Sequence, residues 1–231
     1  YISALMLVAP SLDNGLVIEL DGNITSRPYI DMTLSILNKL GIYAKFNDNT
    51  IIIKPKKDEI INSEYKVEAD WSSASYFFSI VAMSKNIELS FLNFRKDSFQ
   101  GDINVCKYYE LFGVKTTFQN GKLIIKKRTD FNYPEKIIID LKDNPDLAQT
   151  IIVTAFGLNI PTKLTGLSTL KVKETDRIEA LRNELTNLGA SCTIDDESIE
   201  FFKSNKLNKN YIINTYDDHR MALAFAPLSV I

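Results

Sequence analysis

The sequence predicts an α/β (α+β) fold assembled from repeated βαβαββ units, forming two globular domains with buried apolar helices. Three observations carry this expectation. Helical stretches that are apolar almost all round alternate with amphipathic ones, and each pair is closed by a short hairpin. Glycines placed to end the amphipathic helices, Gly41, Gly113 and Gly189, recur at intervals of 72 and 76 residues. Aspartates heading the apolar helices, Asp70, Asp146 and Asp218, recur at 76 and 72. Fixed periods of this kind mark an internal structural repeat.

The elements follow in order. An apolar helix opens the chain over residues 1–9, then come a strand at 16–20, an amphipathic helix at 28–40 closed by Gly41, and a hairpin. A polar, proline-interrupted stretch from Lys54 to Glu59 leads to the expected domain boundary near Lys66, dividing the chain into 1–66 and 67–231. The next unit reads as strand 66–69, apolar helix 72–83, strand 87–94 and amphipathic helix 102–112. A hairpin of 114–118 and 122–126 turns on Asn120-Gly121, the strongest short hairpin signal. The order recurs as strand 136–140, apolar helix 145–157, strand 162–167, charged helix 174–188 and hairpin 191–194/198–203. A third copy starts with strand 211–214 and a helix from Asp218. A helix apolar all round has to lie inside, with sheets and amphipathic helices around it. On this pattern the chain enters its first unit after the leading strand and leaves its last after the first helix, which predicts a portion of a longer protein.

Composition narrows the partners. With 231 residues, 45% hydrophobic and 24% charged, the chain has the make-up of an ordinary soluble globular protein. A net charge of −2 gives no general attraction to nucleic acid, so any anion binding is local. A single histidine, His219, rules out a multi-histidine metal centre, and no metal is expected. Cys106 and Cys192 sit in apolar patterns without metal-type spacing, which predicts reduced thiols and a cytoplasmic protein. No apolar run approaches a membrane span, and the start lacks the basic leader of a signal peptide.

The chemistry-bearing residues cluster at helix starts. Lys171-Val172-Lys173-Glu174-Thr175-Asp176-Arg177 places five charges in seven residues ahead of an amphipathic run (Ile178, Leu181, Leu185, Leu188). Acids suit a helix start and cations do not, so this stretch is either a solvated cap or an anion site. Asp70, Asp146 and Asp218 read first as N-caps, and Asp146, at the mouth of a buried helix, reads also as a carboxylate that accepts a proton from or orients a substrate hydroxyl. Ser26, just before Pro28, fits a cap or a phosphate ligand. Asp218-His219-Arg220 sets a histidine and an arginine in a first helical turn, and Arg220, like Arg177, calls for a carboxylate partner or an anionic ligand. No glycine-rich phosphate loop or nucleophilic triad motif is present. The set fits an anionic small molecule and proton transfer without a cofactor.

Five motifs stand together and in order: Ser26-Arg27-Pro28-Tyr29-Ile30-Asp31, Asp70-Trp71-Ser72-Ser73-Ala74-Ser75-Tyr76, Asn144-Pro145-Asp146-Leu147-Ala148-Gln149-Thr150, Lys173-Glu174-Thr175-Asp176-Arg177 and Asp218-His219-Arg220-Met221-Ala222. Over essentially the whole chain they resemble the 5-enolpyruvylshikimate-3-phosphate synthases, the 3-phosphoshikimate 1-carboxyvinyltransferases of the shikimate pathway. The resemblance implies an enolpyruvyl transferase-like fold of two domains, each of three βαβαββ units, with substrates in the cleft between them. Residues 1–66 would then be the latter half of the shikimate-phosphate domain and 67–231 most of the other. The family's phosphate-holding lysine, arginine and glycine-rich loop would precede Tyr1, and its closing lysine would follow Ile231.

The implied reaction moves the enolpyruvyl group of phosphoenolpyruvate to the 5-hydroxyl of shikimate 3-phosphate and releases phosphate. By position, Asp146 resembles the residue at the shikimate hydroxyl and Glu174 the second acid/base. Ser26, Tyr29, Thr169 and Lys173 resemble shikimate 3-phosphate ligands, although Thr169 stands where relatives often carry asparagine. Arg177, His219 and Arg220 resemble the phosphoenolpyruvate side. Trp71 stands where a small residue is commoner and points to packing. No cofactor is implied, and a monomer is expected. The other readings are a sister transferase acting on UDP-N-acetylglucosamine and a catalytically silent fragment. The pairing of Lys-Glu-Thr-Asp-Arg with Asp-His-Arg-Met-Ala argues against the sister enzyme.

Overall fold

A computed structural model describes residues 1–22, 24–56, 64–204 and 207–231. Of the charged stretch at 54–59, residues 57–59 lie outside the described residues, which stop at Lys56 and resume at Glu64. The chain falls into two compact units, Tyr1–Val67 with Asp97–Gly101, and Glu68–Lys96 with Asp102–Ile231.

In the first unit, α1 (Ile2–Val8) runs into a 3-10 turn and is followed by β1 (Leu16–Glu19), α2 (Arg27–Lys39), β2 (Ala44–Asn47) and β3 (Thr50–Ile53). The antiparallel sheet has the order β1-β3-β2, with Ile53 opposite both Leu16 and Ala44. Ile51 and Ile53, on one face of β3, meet Met6 of α1 and Ile30, Leu34 and Leu37 of α2 in one apolar core. Leu34 and Leu37 are separated by less than one turn, which puts them on the stripe an amphipathic helix buries. Gly41 takes φ 73° at the end of α2, the left-handed conformation a glycine adopts most easily.

The second unit holds two sheets and the two apolar helices. First come α3 (Trp71–Met83), β4 (Glu88–Leu92), a 3-10 turn at Gly101–Asn104, α4 (Val105–Glu110), β5 (Val114–Gln119) and β6 (Lys122–Lys127). They form an antiparallel sheet ordered β4-β6-β5. Next come β7 (Ile137–Asp140), a 3-10 turn at Pro145–Leu147, α5 (Ala148–Gly157), β8 (Thr162–Thr165), a 3-10 turn at Ser168–Val172, α6 (Arg177–Asn187), β9 (Ser191–Ile194) and β10 (Ile199–Phe202). Their sheet has the order β7-β8-β10-β9, with β7 and β8 parallel. Helix α7 (His219–Phe225) follows.

Helices α3 and α5 pack against each other inside this unit. Hydroxyl pairs cross the contact or join α4 to it: Ser75 with Thr150 at 3.0 Å, Ser79 with Thr154 at 2.7 Å, and Tyr109 of α4 with Thr154 at 2.9 Å. The serine–threonine partners lie 75 residues apart, one short of the repeat interval, so successive copies meet through nearly matching positions. Buried hydroxyls need such partners, because an unpaired one keeps its full desolvation cost.

Several expected elements differ. Residues 66–69 form no strand: Ala69 donates one bond to Asn93 at 2.9 Å, but Val67 is 78% exposed, so the alternation has no apolar face to bury. Residues 211–214 form none either, because Ile212 is exposed and the Asn214 amide is bonded to a side chain. The helix expected at 102–112 is a 3-10 turn followed by six residues of α-helix. The charged helix begins at Arg177 instead of Glu174, since Asp176 is its cap and accepts from the Ile178 and Glu179 amides at 3.1 Å. Both cysteines are free thiols whose burial pushes their pKa up to about 12. Among the described residues no helix is long and apolar enough to cross a membrane, and no group of three or more His, Cys, Asp or Glu is placed to hold a metal ion.

Candidate functional site

Three helix starts of the second unit converge: the 3-10 turn ahead of α5, the first residue of α6 and the first turn of α7. Asn144 fixes the first. It is fully buried, its amide nitrogen donates to Asp102 at 3.2 Å, and its oxygen accepts from Asn104 at 2.9 Å and Tyr108 at 3.2 Å. Ser72 of α3 donates to the other oxygen of Asp102. Burial pushes the Asp102 pKa up, the bonds from Ser72 and Asn144 pull it down, and nearby Asp146 adds to the rise; the net shift is upward.

Two residues after this anchor stands Asp146. It lies inside the 3-10 turn and does not serve as the N-cap expected of it, since the cap position of α5 is Leu147. Its carboxylate faces three cations instead: Arg177 Nη1 at 3.1 Å, Arg220 Nη2 at 3.3 Å and Lys173 Nζ at 3.5 Å. Arg220 Nη1 also reaches the Asp146 carbonyl at 3.3 Å.

Arg177 is the hub. Only 2% exposed, it donates from Nε to Asp218 at 2.6 Å, from Nη1 to Asp146 and from Nη2 to Glu174 at 2.5 Å. A cation at a helix start opposes the dipole, and these carboxylates together with the Asp176 cap answer it. Asp218, 1% exposed, caps α7 by accepting from the Arg220 amide at 2.8 Å while holding Arg177. Burial pushes the Asp218 carboxyl up, but the bonds from Arg177 and the Arg220 amide outweigh it and the pKa falls below the ordinary value. Exposure then grades outward: Asp146 side chain 12%, Arg220 17%, Lys173 34%, Glu174 50%.

Of the residues singled out in the sequence, Asp146, Lys173, Glu174, Arg177 and Arg220 are therefore joined in one charged network, with exposed His219 at the head of α7 between Asp218 and Arg220. Thr169 lies in the 3-10 turn before Lys173, and its hydroxyl oxygen is buried without a bonding partner. Ser26 and Tyr29 belong to the other unit. Ser26 occupies the N-cap position of α2 with φ 54° but makes no capping bond, so the cap expected of it is absent. Lys171, unassigned in the sequence, pairs with Asp196.

Sequence reasoning missed four members. Asp218 was legible as a cap but not as the buried partner of Arg177, 41 residues away. Asp102 gave no signal beyond a single polar residue at a helix start, and Asn144 opened a motif without any sign of its buried bonds to Asp102, Asn104 and Tyr108. Tyr76 of α3 is the fourth: burial raises its phenol pKa, with Arg220 opposing and Asp70 adding, which puts it within electrostatic reach of the network.

Comparison with known proteins bears on this arrangement. The family model described as EPSP synthase (3-phosphoshikimate 1-carboxyvinyltransferase) matches residues 1–231. A 3-phosphoshikimate 1-carboxyvinyltransferase of Bacteroides fragilis (strain YCH46) is 39% identical over 233 residues, covering 100% of this chain and 56% of that protein. One from Buchnera aphidicola subsp. Baizongia pistaciae is 33% identical over 237 residues, covering 100% and 53%. Among solved structures, EPSP synthase from Acinetobacter baumannii aligns with TM-score 0.70 at 18% identity over 97% of this chain and 52% of that one. The enolpyruvyl transferase NikO from Streptomyces tendae aligns with TM-score 0.59 at 12% identity over 97% and 51%. The chain spans about half the length of the curated relatives it matches.

Proposed function

The chain belongs to the EPSP synthase (3-phosphoshikimate 1-carboxyvinyltransferase) family, and from that premise we propose that the protein transfers the enolpyruvyl group of phosphoenolpyruvate to the 5-hydroxyl of shikimate 3-phosphate, releasing phosphate. The observation that carries the reading is the Asp146 carboxylate, held by Lys173, Arg177 and Arg220 within 3.5 Å. The reaction adds a proton to the methylene carbon of phosphoenolpyruvate and joins the sugar hydroxyl to its neighbouring carbon. Loss of a proton and phosphate from the tetrahedral intermediate then restores the enol double bond. It needs a base at the hydroxyl, an acid/base at the methylene, and fixed cations around carboxylate and phosphate. No cofactor enters.

Under this reading Asp146 takes the hydroxyl proton, and Glu174, the most exposed carboxylate of the network, serves the methylene. Lys173 carries substrate phosphate, with Ser26, Tyr29 and Thr169 as further shikimate 3-phosphate ligands. Arg220 and His219 face phosphoenolpyruvate. Arg177 joins them by exchanging the Glu174 oxygen for a substrate carboxylate oxygen, a swap its planar fork accommodates. Residues 1–66 form part of the shikimate-phosphate domain and 67–231 part of the second. The protein is cytoplasmic and monomeric.

Phosphate release by the product of the complete reading frame tests the proposal. Release with phosphoenolpyruvate and shikimate 3-phosphate is expected; release with UDP-N-acetylglucosamine instead would assign the sister reaction. Asp146→Asn should lower kcat by about two to four orders of magnitude, the range of a lost general base, with modest change in KM. A fall in thermal stability with kcat intact would return Asp146 to a structural role.

A further inference from the structure

Glu184 is fully buried in the middle of α6 and takes no part in the charged network. It lies seven residues, two helical turns, beyond Arg177, so both side chains leave the same face of α6. Its Oε2 accepts the Asn214 backbone amide at 2.9 Å, and its Oε1 accepts the Tyr216 hydroxyl at 2.7 Å and the Asn214 side-chain amide at 3.4 Å. One turn on, Asn187 donates to the Tyr211 hydroxyl at 2.9 Å, which also accepts from Asn214 at 3.2 Å. The segment 211–218, which forms no strand, is thus strapped along α6 by side chains, with Arg177 holding its far end through Asp218.

The strap contains a tight turn. The Asp218 amide donates to the Thr215 carbonyl at 2.9 Å, and the two residues between, Tyr216 and Asp217, have φ of 57° and 53°. Two successive left-handed residues make the I′ geometry that asparagine and glycine favour, and a bulky Tyr there is strained. Such a turn persists only when its surroundings over-determine it. Here the grips lie on both sides: Glu184 on Asn214 and Tyr216, Arg177 on Asp218. Burial and the Glu184 carboxylate push the Tyr216 phenol up to about 12, so it stays a donor.

We propose that Glu184 is a positioning residue: by clamping Asn214 and Tyr216 it holds the strained turn that delivers Asp218 to Arg177 and aims His219 and Arg220 at the phosphoenolpyruvate side of the site. The proposal rests on the function proposed above for the identity of that ligand. The Asp218 oxygen that fixes the Arg220 amide is only two residues beyond Tyr216, so a slackened turn moves Arg220 relative to Asp146. A glutamine at this position keeps an oxygen for the Asn214 amide and turns its NH₂ toward the Tyr216 oxygen, which accepts as well as donates. A leucine keeps neither.

The test compares wild type, Glu184→Gln, Glu184→Leu and Tyr216→Phe in the product of the complete reading frame. For Glu184→Leu the KM for phosphoenolpyruvate should rise about tenfold, the equivalent of one to two lost hydrogen bonds, while that for shikimate 3-phosphate stays within about twofold. Deuterium exchange at the amides of 216–222 should quicken about tenfold. Glu184→Gln should restore both, and Tyr216→Phe should fall between. Parallel changes in the two KM values, or a lower Tm with unchanged exchange at 216–222, would overturn the clamp. If Glu184→Leu does not fold, Tyr216→Phe decides by the same two measurements. If the wild type releases no phosphate from this substrate pair, the functional proposal fails, and the exchange result alone decides the clamp.

Discussion

Replacing Arg177 with methionine tests whether the charged network is a scaffold as well as a site. The guanidinium is 2% exposed, and its most deeply buried partner, Asp218 at 2.6 Å, is 1% exposed. Methionine refills much of the volume but leaves Asp218 as a buried carboxylate without its principal countercharge. Breaking a buried pair from one side costs about 3–5 kcal/mol, a large share of a total stability of roughly 5–15 kcal/mol. Asp218 sets the pH dependence. Its folded pKa is depressed, so its contribution is present above the unfolded value and is lost as pH falls through the folded one. In Arg177→Met burial prevails, the Asp218 pKa rises, and stability falls as pH rises through it. The gap between the two proteins is therefore widest near neutrality and narrows in acid. The assay is urea unfolding followed by fluorescence of Trp71, the chain's only tryptophan, which is fully buried in the same unit. Asp218→Asn in the Arg177→Met background should recover much of the loss, a coupling of about 2–3 kcal/mol. A loss under about 1 kcal/mol, or additive single effects, would refute the reasoning.

Two further substitutions probe buried charges elsewhere in the unit. Lys127 is 8% exposed and donates to Ala82 O near the end of α3, to Phe112 O beyond α4 at 3.3 Å and to the Tyr133 hydroxyl at 2.6 Å. Lys127→Met strips an ammonium from two helix C-terminal ends and should cost about 2–3 kcal/mol in the same unfolding assay; an unchanged midpoint would contradict this. Asp102 has its pKa raised, so the folded state binds the extra proton and stability declines as pH rises from the unfolded value through the folded one. Asp102→Asn should remove that decline and leave stability at pH 7 within about 1 kcal/mol of wild type. A slope between pH 4 and 7 that survives the substitution would count against it.

What was legible in the sequence was local, or repeated. Asn120 and Gly121 take φ of 50° and 71°, as an Asn-Gly hairpin turn demands, and Asp70 caps α3 through the Ser72 and Ser73 amides. The apolar periodicity of 72–83 and 145–157 announced burial, and α3 and α5 are buried against each other. Strands at 66–69 and 211–214 were misread because alternation describes a residue's options, while a ladder needs a partner edge and a face to cover. At 211–214 the alternative is visible: Glu184, an acid on the buried face of α6, takes the backbone amide a strand would have used. The same limit applies to the site. Charge types at helix starts could be read directly, but which carboxylate answers which cation depends on tertiary contacts such as Arg177 with Asp218 and Arg220 with Asp146.

The network's charge balance constrains how an anionic substrate enters it. Asp146, Glu174 and Asp218 face Lys173, Arg177 and Arg220, three carboxylates against three permanent cations. An incoming carboxylate or phosphate therefore exchanges with a resident anion at a cation already in use. Exposure orders the exchange. Arg177 and Asp218 are sealed, so parting them leaves both charges without water; Glu174 is half exposed, so releasing it from Arg177 returns its carboxylate to solvent at little cost. Under the proposed reading this sorts one guanidinium into two roles. Its bonds to Asp218 from Nε and Nη2 are fixed structure that holds α6 to the start of α7, while the bond from Nη2 to Glu174 is the exchangeable one. Substrate binding and release of the Glu174 carboxylate then become one event, which readies the acid/base as the enolpyruvyl donor arrives.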